Sequence, residues 1–210
     1  MLFFGGNMLN PKEIENKSFK IIENLMRERG SLKNFSGPKL SVVKRVIHTT
    51  GDPKIGESLY FSNNFYEGFK KAFKKRVIVT DVKMVAAGIS KRIFKDLKVE
   101  TYISDKDVSE KAKSMKVSRS YISMEKALNN NYKLFAIGNA PTALRKLIEY
   151  KDIDFIVGVP VGFVGAAEWK NELIKSKIPC ITLPGRQGGS NIAAAIINAL
   201  MKELKSELVY

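Results

Sequence analysis

Short runs of β-branched and aromatic residues alternate, from Lys75 onward, with longer stretches whose apolar side chains recur every three or four positions. The runs are Arg76–Thr80, Lys98–Ile103, Lys133–Ile137, Asp154–Gly158 and Ile178–Leu183. Strands that alternate in this way with helices predict βαβ units, a parallel sheet and helices on both of its faces. Before Lys75 the pattern is mostly helical. Asn10-Pro11-Lys12-Glu13 reads as an N-cap, a first-turn proline and a capping-box glutamate, opening a helix that stops at Gly30. A second helix near Lys39–Thr50 ends at Gly51, with Pro53 just beyond. A third follows Asn63-Asn64, with Phe65, Phe69, Ala72 and Phe73 on one stripe. The expectation is one α/β domain over residues 1–210. It is a three-layer α/β/α fold with a mostly parallel or mixed sheet and a helical N-terminal third.

In such sheets ligands bind beyond the carboxyl ends of the strands. Those ends read Thr80-Asp81, Ser104-Asp105, Gly138-Asn139-Ala-Pro141, Pro160-Val-Gly162 and Pro184-Gly-Arg-Gln-Gly-Gly-Ser190. Their polar and glycine residues suit a binding site, and equally suit the turns that any βα unit needs.

Composition narrows the classes. A hydrophobic fraction of 44% and a charged fraction of 27% fit a folded soluble domain rather than a disordered chain. The longest apolar stretch, Phe155 to Ala167, is broken by glycines and a proline and is shorter than the ~18 residues that span a bilayer. The opening Met1–Met8 has no basic segment and no cleavage pattern, so no signal peptide is expected, and Met8 is an alternative start. The single cysteine, Cys180, allows no internal disulfide, fits a cytoplasmic location, and reads as a core thiol. The net charge of +15 attracts polyanions, whether nucleic acid or a small molecule rimmed with carboxylates. A lysine-rich solvated surface explains it as well.

One His and one Cys make a zinc or iron–sulfur site unsupported. No GxGxxG follows a strand, and the loop Gly185–Gly189 lacks the Gly-Lys-Ser/Thr ending that cradles phosphates. His48 lies in the last turn of its helix, where the negative end of the dipole favours an imidazolium able to donate a proton. Arg45 and Lys44, one turn back, oppose that charge until an anion neutralises them. A lone histidine capping a helix end is the competing reading. Ser18 interrupts the stripe Ile14, Ser18, Ile22, and packing alone accounts for it too. Arg119 either continues the inward spacing of Val108, Ala112 and Met115 or stands at the start of a helix capped by Ser118. Both placements call for an anion, from a ligand or from a neighbouring Asp or Glu. Trp169 falls at a helix start, as packing or as a site edge.

These residues lie inside longer strings. Ile14-Glu-Asn-Lys-Ser18-Phe19, Arg45-Val-Ile-His48-Thr-Thr-Gly-Asp52, Thr80-Asp81-Val-Lys-Met84-Val-Ala-Ala-Gly88-Ile89 and Ser118-Arg119-Ser120 resemble the precorrin-8X (cobalt-precorrin-8) methylmutase family. So do Gly138-Asn139-Ala-Pro141-Thr142-Ala-Leu144, Pro160-Val-Gly-Phe-Val-Gly165-Ala-Ala-Glu168 and Gly188-Gly189-Ser190. The resemblance runs in order from about Pro11 to Leu200.

It implies an isomerase of cobalamin biosynthesis that moves a methyl group from C-11 to C-12 of a corrinoid, giving hydrogenobyrinate or cobyrinate. It also implies a homodimer with sites near the interface, and no cofactor or metal of the protein's own. His48 matches the family's catalytic histidine, a proton donor to the ring. Ser18, Arg45 and Arg119 match positions that contact substrate. Ser90 stands where threonine is expected, keeping the hydroxyl and losing a methyl group. Trp169 replaces a small serine, which changes the local pocket shape. Acetate and propionate groups on such a ring suit a basic protein. Two other readings remain. A noncatalytic nucleic-acid-binding domain fits the charge but shows no recognition-helix or RNP-like pattern, so no nucleic-acid partner is expected, and no membrane. A corrinoid carrier without turnover is disfavoured by the intact His48.

Overall fold

The computed structural model describes residues 3, 4, 7, 8 and 10–209. The opening stretch read above as lacking a signal peptide therefore lies partly outside the described residues. Phe3–Phe4 (β1) and Asn7–Met8 (β2) form a small antiparallel pair. The N-terminal third is helical as expected. Helix α1 (Pro11–Glu28) begins with a complete capping box, in which the Asn10 side chain accepts from the Glu13 N–H and the Glu13 carboxylate accepts from the Asn10 N–H. Helix α2 (Gly37–Thr50) ends at Gly51, whose φ of 69° is the left-handed conformation that a C-terminal glycine adopts without strain. Pro53, read as a stop, also opens a further short helix, α3 (Pro53–Glu57), because Asp52 accepts from the Lys54 N–H and caps it. Helix α4 (Phe65–Phe73) buries Phe65, Phe69, Ala72 and Phe73. Gly68 lets it lie against the sheet, since a Cβ there would stand 2.3 Å from the Pro179 side chain.

The five expected strands are present as β4 (Val77–Thr80), β5 (Lys98–Glu100), β6 (Leu134–Ile137), β7 (Phe155–Gly158) and β8 (Cys180–Thr182). They are parallel to one another, in the order β8-β7-β6-β4-β5. A sixth strand, β3 (Tyr60–Phe61), pairs antiparallel with β8 and makes the sheet mixed. Two residues are too few to show a period of two, so the pattern gave no sign of it.

Alternation along the strands feeds two cores. Ile78, Leu134, Ala136, Phe155, Val157 and Ile181 face one side, where α2, α4, α5 (Lys83–Gly88) and α10 (Ser190–Glu207) pack. Val79, Phe135, Ile137, Ile156 and Cys180 face the other, under α7 (Arg119–Asn129), α8 (Pro141–Tyr150) and α9 (Ala166–Lys175). Helix α6 (Lys106–Met115) packs on α7 through Val108, Ala112 and Ile122. Cys180 is buried, and burial pushes its thiol up to about 12, as suits an inert core residue.

After β4 the chain moves outward to β5, then returns to place β6 on the other side of β4. At this switch point Asp81 is completely buried, and its carboxylate accepts from the backbone N–H groups of Gly138 (3.1 Å), Asn139 (2.8 Å) and Ala140 (2.7 Å). Burial pushes the Asp81 pKa up, against the pull of those donors. Asp81→Ala is expected to leave three donors unsatisfied, at about 1–3 kcal/mol each. Asp81→Asn keeps one acceptor oxygen and is expected to cost less. Urea denaturation of both variants checks the ranking, and equal loss would show that the donors find other partners.

Candidate functional site

Helix α1 lies across α2, and this crossing joins Ser18 to His48: the Ser18 hydroxyl is 2.8 Å from His48 Nδ1. The edge of the Phe19 ring packs on the imidazole, at a centroid distance of 5.6 Å and an interplanar angle of 66°. Both contacts fix the ring. Nε2 has no hydrogen-bond partner among the described residues, and the side chain is exposed. Ser18, read from its stripe as packing or contact, is therefore the neighbour that orients His48.

One turn back on α2, the Arg45 guanidinium stacks on Phe19 at 4.7 Å and donates to Glu15 of α1. Lys44 lies over the same ring at 5.3 Å and donates to Glu23. The cations expected to oppose a charged His48 thus carry their own carboxylates. Glu15 has a second partner, the ammonium of Lys202 on α10 at 2.9 Å. Burial works against its charge, but the bonds from Lys202 and Arg45 together hold its carboxyl below the usual carboxylate range.

Arg45 and Lys202 face a cleft of about 410 Å³ between α2, the end of α5 and α10. Asn191, Ala194, Ala195, Asn198 and Lys202, spaced as one helical face, form its long wall. Thr49 and Ser90 line it as well. The backbone around Ser90 is fixed by Asn198, which accepts from the Ser90 N–H and donates to the Gly88 carbonyl, both at 2.8 Å. The Ser90 hydroxyl borders the cleft and has no hydrogen-bond partner among the described residues. His48 stands beside the cleft, next to Thr49, rather than among its walls.

Ser18, Arg45, His48 and Ser90 are thus brought to one region. Arg119 is not among them. It is exposed at the first position of α7, with Ser118 as N-cap, so the helix-start placement holds and the inward one does not. Met115, the last member of that inward spacing, is 50% exposed. Arg119 has no ion pair among the described residues. Its neighbour Ser118 is 2.6 Å from the Thr142 hydroxyl, which places it by the first turn of α8, at the switch point. Trp169 is half-buried on α9 with the Arg145 guanidinium over its ring at 5.4 Å.

Three residues were invisible to sequence patterns. Glu15 and Lys202 read as solvated charges, and only the packing of α1 and α10 around α2 makes them partners. Lys170 reads as an ordinary helix lysine, yet it is completely buried, and burial pushes its ammonium down to about 8. Its Nζ donates to the Gln187 carbonyl at 2.6 Å, tying down the loop that leads into α10.

A family model described as precorrin-8X methylmutase matches residues 13–203. The cobalt-precorrin-8 methylmutase of Salmonella typhimurium is 42% identical over 202 residues, covering 93% of this chain and 96% of the relative. The cobalt-precorrin-8 methylmutase of Priestia megaterium is 40% identical over 211 residues, covering 96% and 92%. The crystal structure of precorrin-8x methyl mutase from Thermus thermophilus aligns with a TM-score of 0.82 at 28% identity, over 93% of this chain and 97% of that one. Shared sequence along nearly the whole length and a shared fold make this chain a member of the precorrin-8X methylmutase family, the methylmutase isomerases of corrin biosynthesis.

Proposed function

We propose that the protein moves the C-11 methyl group of cobalt-precorrin-8 to C-12, with His48 as the proton donor. The observation that carries this reading is the Ser18–His48 contact, which orients the imidazole and leaves Nε2 unpartnered beside a basic cleft. An imidazolium so held donates Nδ1–H to Ser18 and keeps Nε2–H for the ring. Protonating the ring makes it electron-poor, which favours migration of the methyl group with its bonding pair. One carbon–carbon bond breaks at C-11 and one forms at C-12. Substrate and product are isomers, so the proton delivered is balanced by one that leaves the ring. The cobalt form is favoured because the two relatives described above carry that name. A metal-free ring remains the second reading, since the chemistry assigned to His48 serves both.

Arg45 and Arg119 act differently as anchors in this scheme. Arg119 has no carboxylate partner among the described residues to give up, whereas Arg45 already shares Glu15 with Lys202. The Ser90 hydroxyl faces the same cleft and is assigned to substrate contact. The chain is further proposed to act in the cytoplasm as a homodimer. Val164 and Phe163, 89% and 84% exposed, form an apolar tip between β7 and α9 that a second copy would cover.

Incubation with cobalt-precorrin-8 and with precorrin-8X, followed by absorption spectroscopy, tests the reaction, and no change with either ring overturns it. His48→Asn is expected to bind ligand but to turn over about 10²–10⁴-fold more slowly, the scale of a lost general acid. Near wild-type turnover in His48→Asn would leave His48 as a helix-end residue only. Arg119→Ala is expected to weaken binding by about 10- to 100-fold, the scale of one charge-assisted hydrogen bond, without lowering thermal stability. Unchanged affinity in a titration would remove Arg119 from the site. Light scattering of Phe163→Asp/Val164→Asp is expected to give a monomer where the wild type gives a dimer. A variant that stays dimeric would place the interface elsewhere.

A further inference from the structure

The cleft beside His48 does not end at Lys202. A second cavity, of about 760 Å³, shares Ser90, Ile93 and Lys202 with it and continues past Arg92 and Lys205 to Lys12 at the start of α1. Among the described residues, no acidic side chain lines either cavity. Arg92 and Lys12 have no ion pair among the described residues, and Lys205 donates only to the Ile93 carbonyl, at 2.8 Å.

The groove between α6 and α7 also contains cations, but there Lys111 is paired with Glu125, and Lys126 with Asp105 and Asp107. General basicity would leave both grooves alike. They differ. Lys202 has Glu15 as its counter-charge, but Arg92, Lys205 and Lys12 have none among the described residues; like charges gathered at one cavity repel one another, and the favourable resolution is an anion supplied from outside.

The geometry points to this second cavity as a carboxylate subsite, distinct from the cleft beside His48 and built around Arg92 and Lys205. The assignment rests on the corrinoid reading above. It takes one or more of the acetate or propionate groups at the edge of the ring, while the reacting part lies near His48. Arg92 carries a guanidinium fork able to grip a carboxylate through two N–H donors, and Lys205 is fixed near it by its bond to the Ile93 carbonyl. A neutral amide at the same position offers no charge to a guanidinium. The subsite therefore makes the protein selective for the free acid over rings whose side chains are amidated.

The test titrates the full-length protein, by absorption, with two forms of the methyl-shifted ring. One has free carboxylates and the other has them converted to amides. Arg92→Ala/Lys205→Ala is expected to weaken binding of the acid form by about 10- to 100-fold at low salt and to flatten its salt dependence. Binding of the amide form is expected to stay within about two-fold, well below one such bond. Arg92→Ala alone, which removes no ion pair within the protein, is expected to show the same selectivity at smaller size. Equal losses for both forms would mean that the substitutions disturb the fold, and unchanged binding of the acid form would empty the subsite. If the wild type turns over a precorrin-8 ring and the variant still binds the acid normally, only the subsite falls. If the wild type binds and converts neither ring, the corrinoid reading falls and this one with it.

Discussion

The carboxylate of Asp81 leaves the end of β4 and takes up three backbone N–H groups from the loop after β6. A buried charge is tolerable only when it is so bonded, and buried N–H groups are tolerable only when something accepts from them. Each solves the other's problem at the point where the strand order reverses. The loop so fixed leads directly into α8, whose Thr142 hydroxyl meets Ser118 and thereby sets the start of α7 and the position of Arg119. Gly138 in the same loop lies close to Ser190, where α10 begins; a Cβ there would be 2.8 Å from the Ser190 Cα. One side chain therefore positions both the outlying arginine and the helix whose face walls the cleft.

Helix α10 divides the remaining work. Its inward side, from Ile192 to Met201, is buried against the sheet and α2. Its opposite face presents Asn191, Asn198 and Lys202 to the cleft, so the candidate site residues on α1, α2 and just after α5 are measured off one rigid rod. Sites on such elements keep their geometry better than sites on loops. Glu15 tempers the basic character of the region. By bonding Arg45 and Lys202 together it prevents two like charges from pushing α2 and α10 apart.

Much of this was legible beforehand because it depends on local rules. The capping box of α1, the glycine stop of α2 and the phenylalanine stripe of α4 are read from neighbours within one or two turns, and all three are present. The five parallel strands were marked by β-branched runs. The edge strand Tyr60–Phe61 was not, because it is defined by its pairing with β8, far along the chain. The site divides in the same way. His48 at a helix end could be named as a candidate, but its orientation by Ser18, thirty residues earlier, depends on how two helices cross. Arg119 had two placements from spacing alone, and the Ser118 cap decided between them. Lys202 carries no local signal at all, since its partner Glu15 lies 187 positions away.

The short edge strands have a consequence for how the molecule meets copies of itself. An open sheet offers unpaired N–H and C=O groups at each margin, a template onto which a foreign strand can add. Here one margin is β3, two residues long and flanked closely by helices α3 and α4, and the other is β5, three residues long and opening with the exposed Lys98. Neither is long enough to seat more than a bond or two from another chain. Growth of the sheet from molecule to molecule is blocked at both ends. Any ordered pairing of subunits must then proceed through side-chain surfaces, which can be shaped for one partner and closed by symmetry, instead of through backbone, which accepts any strand.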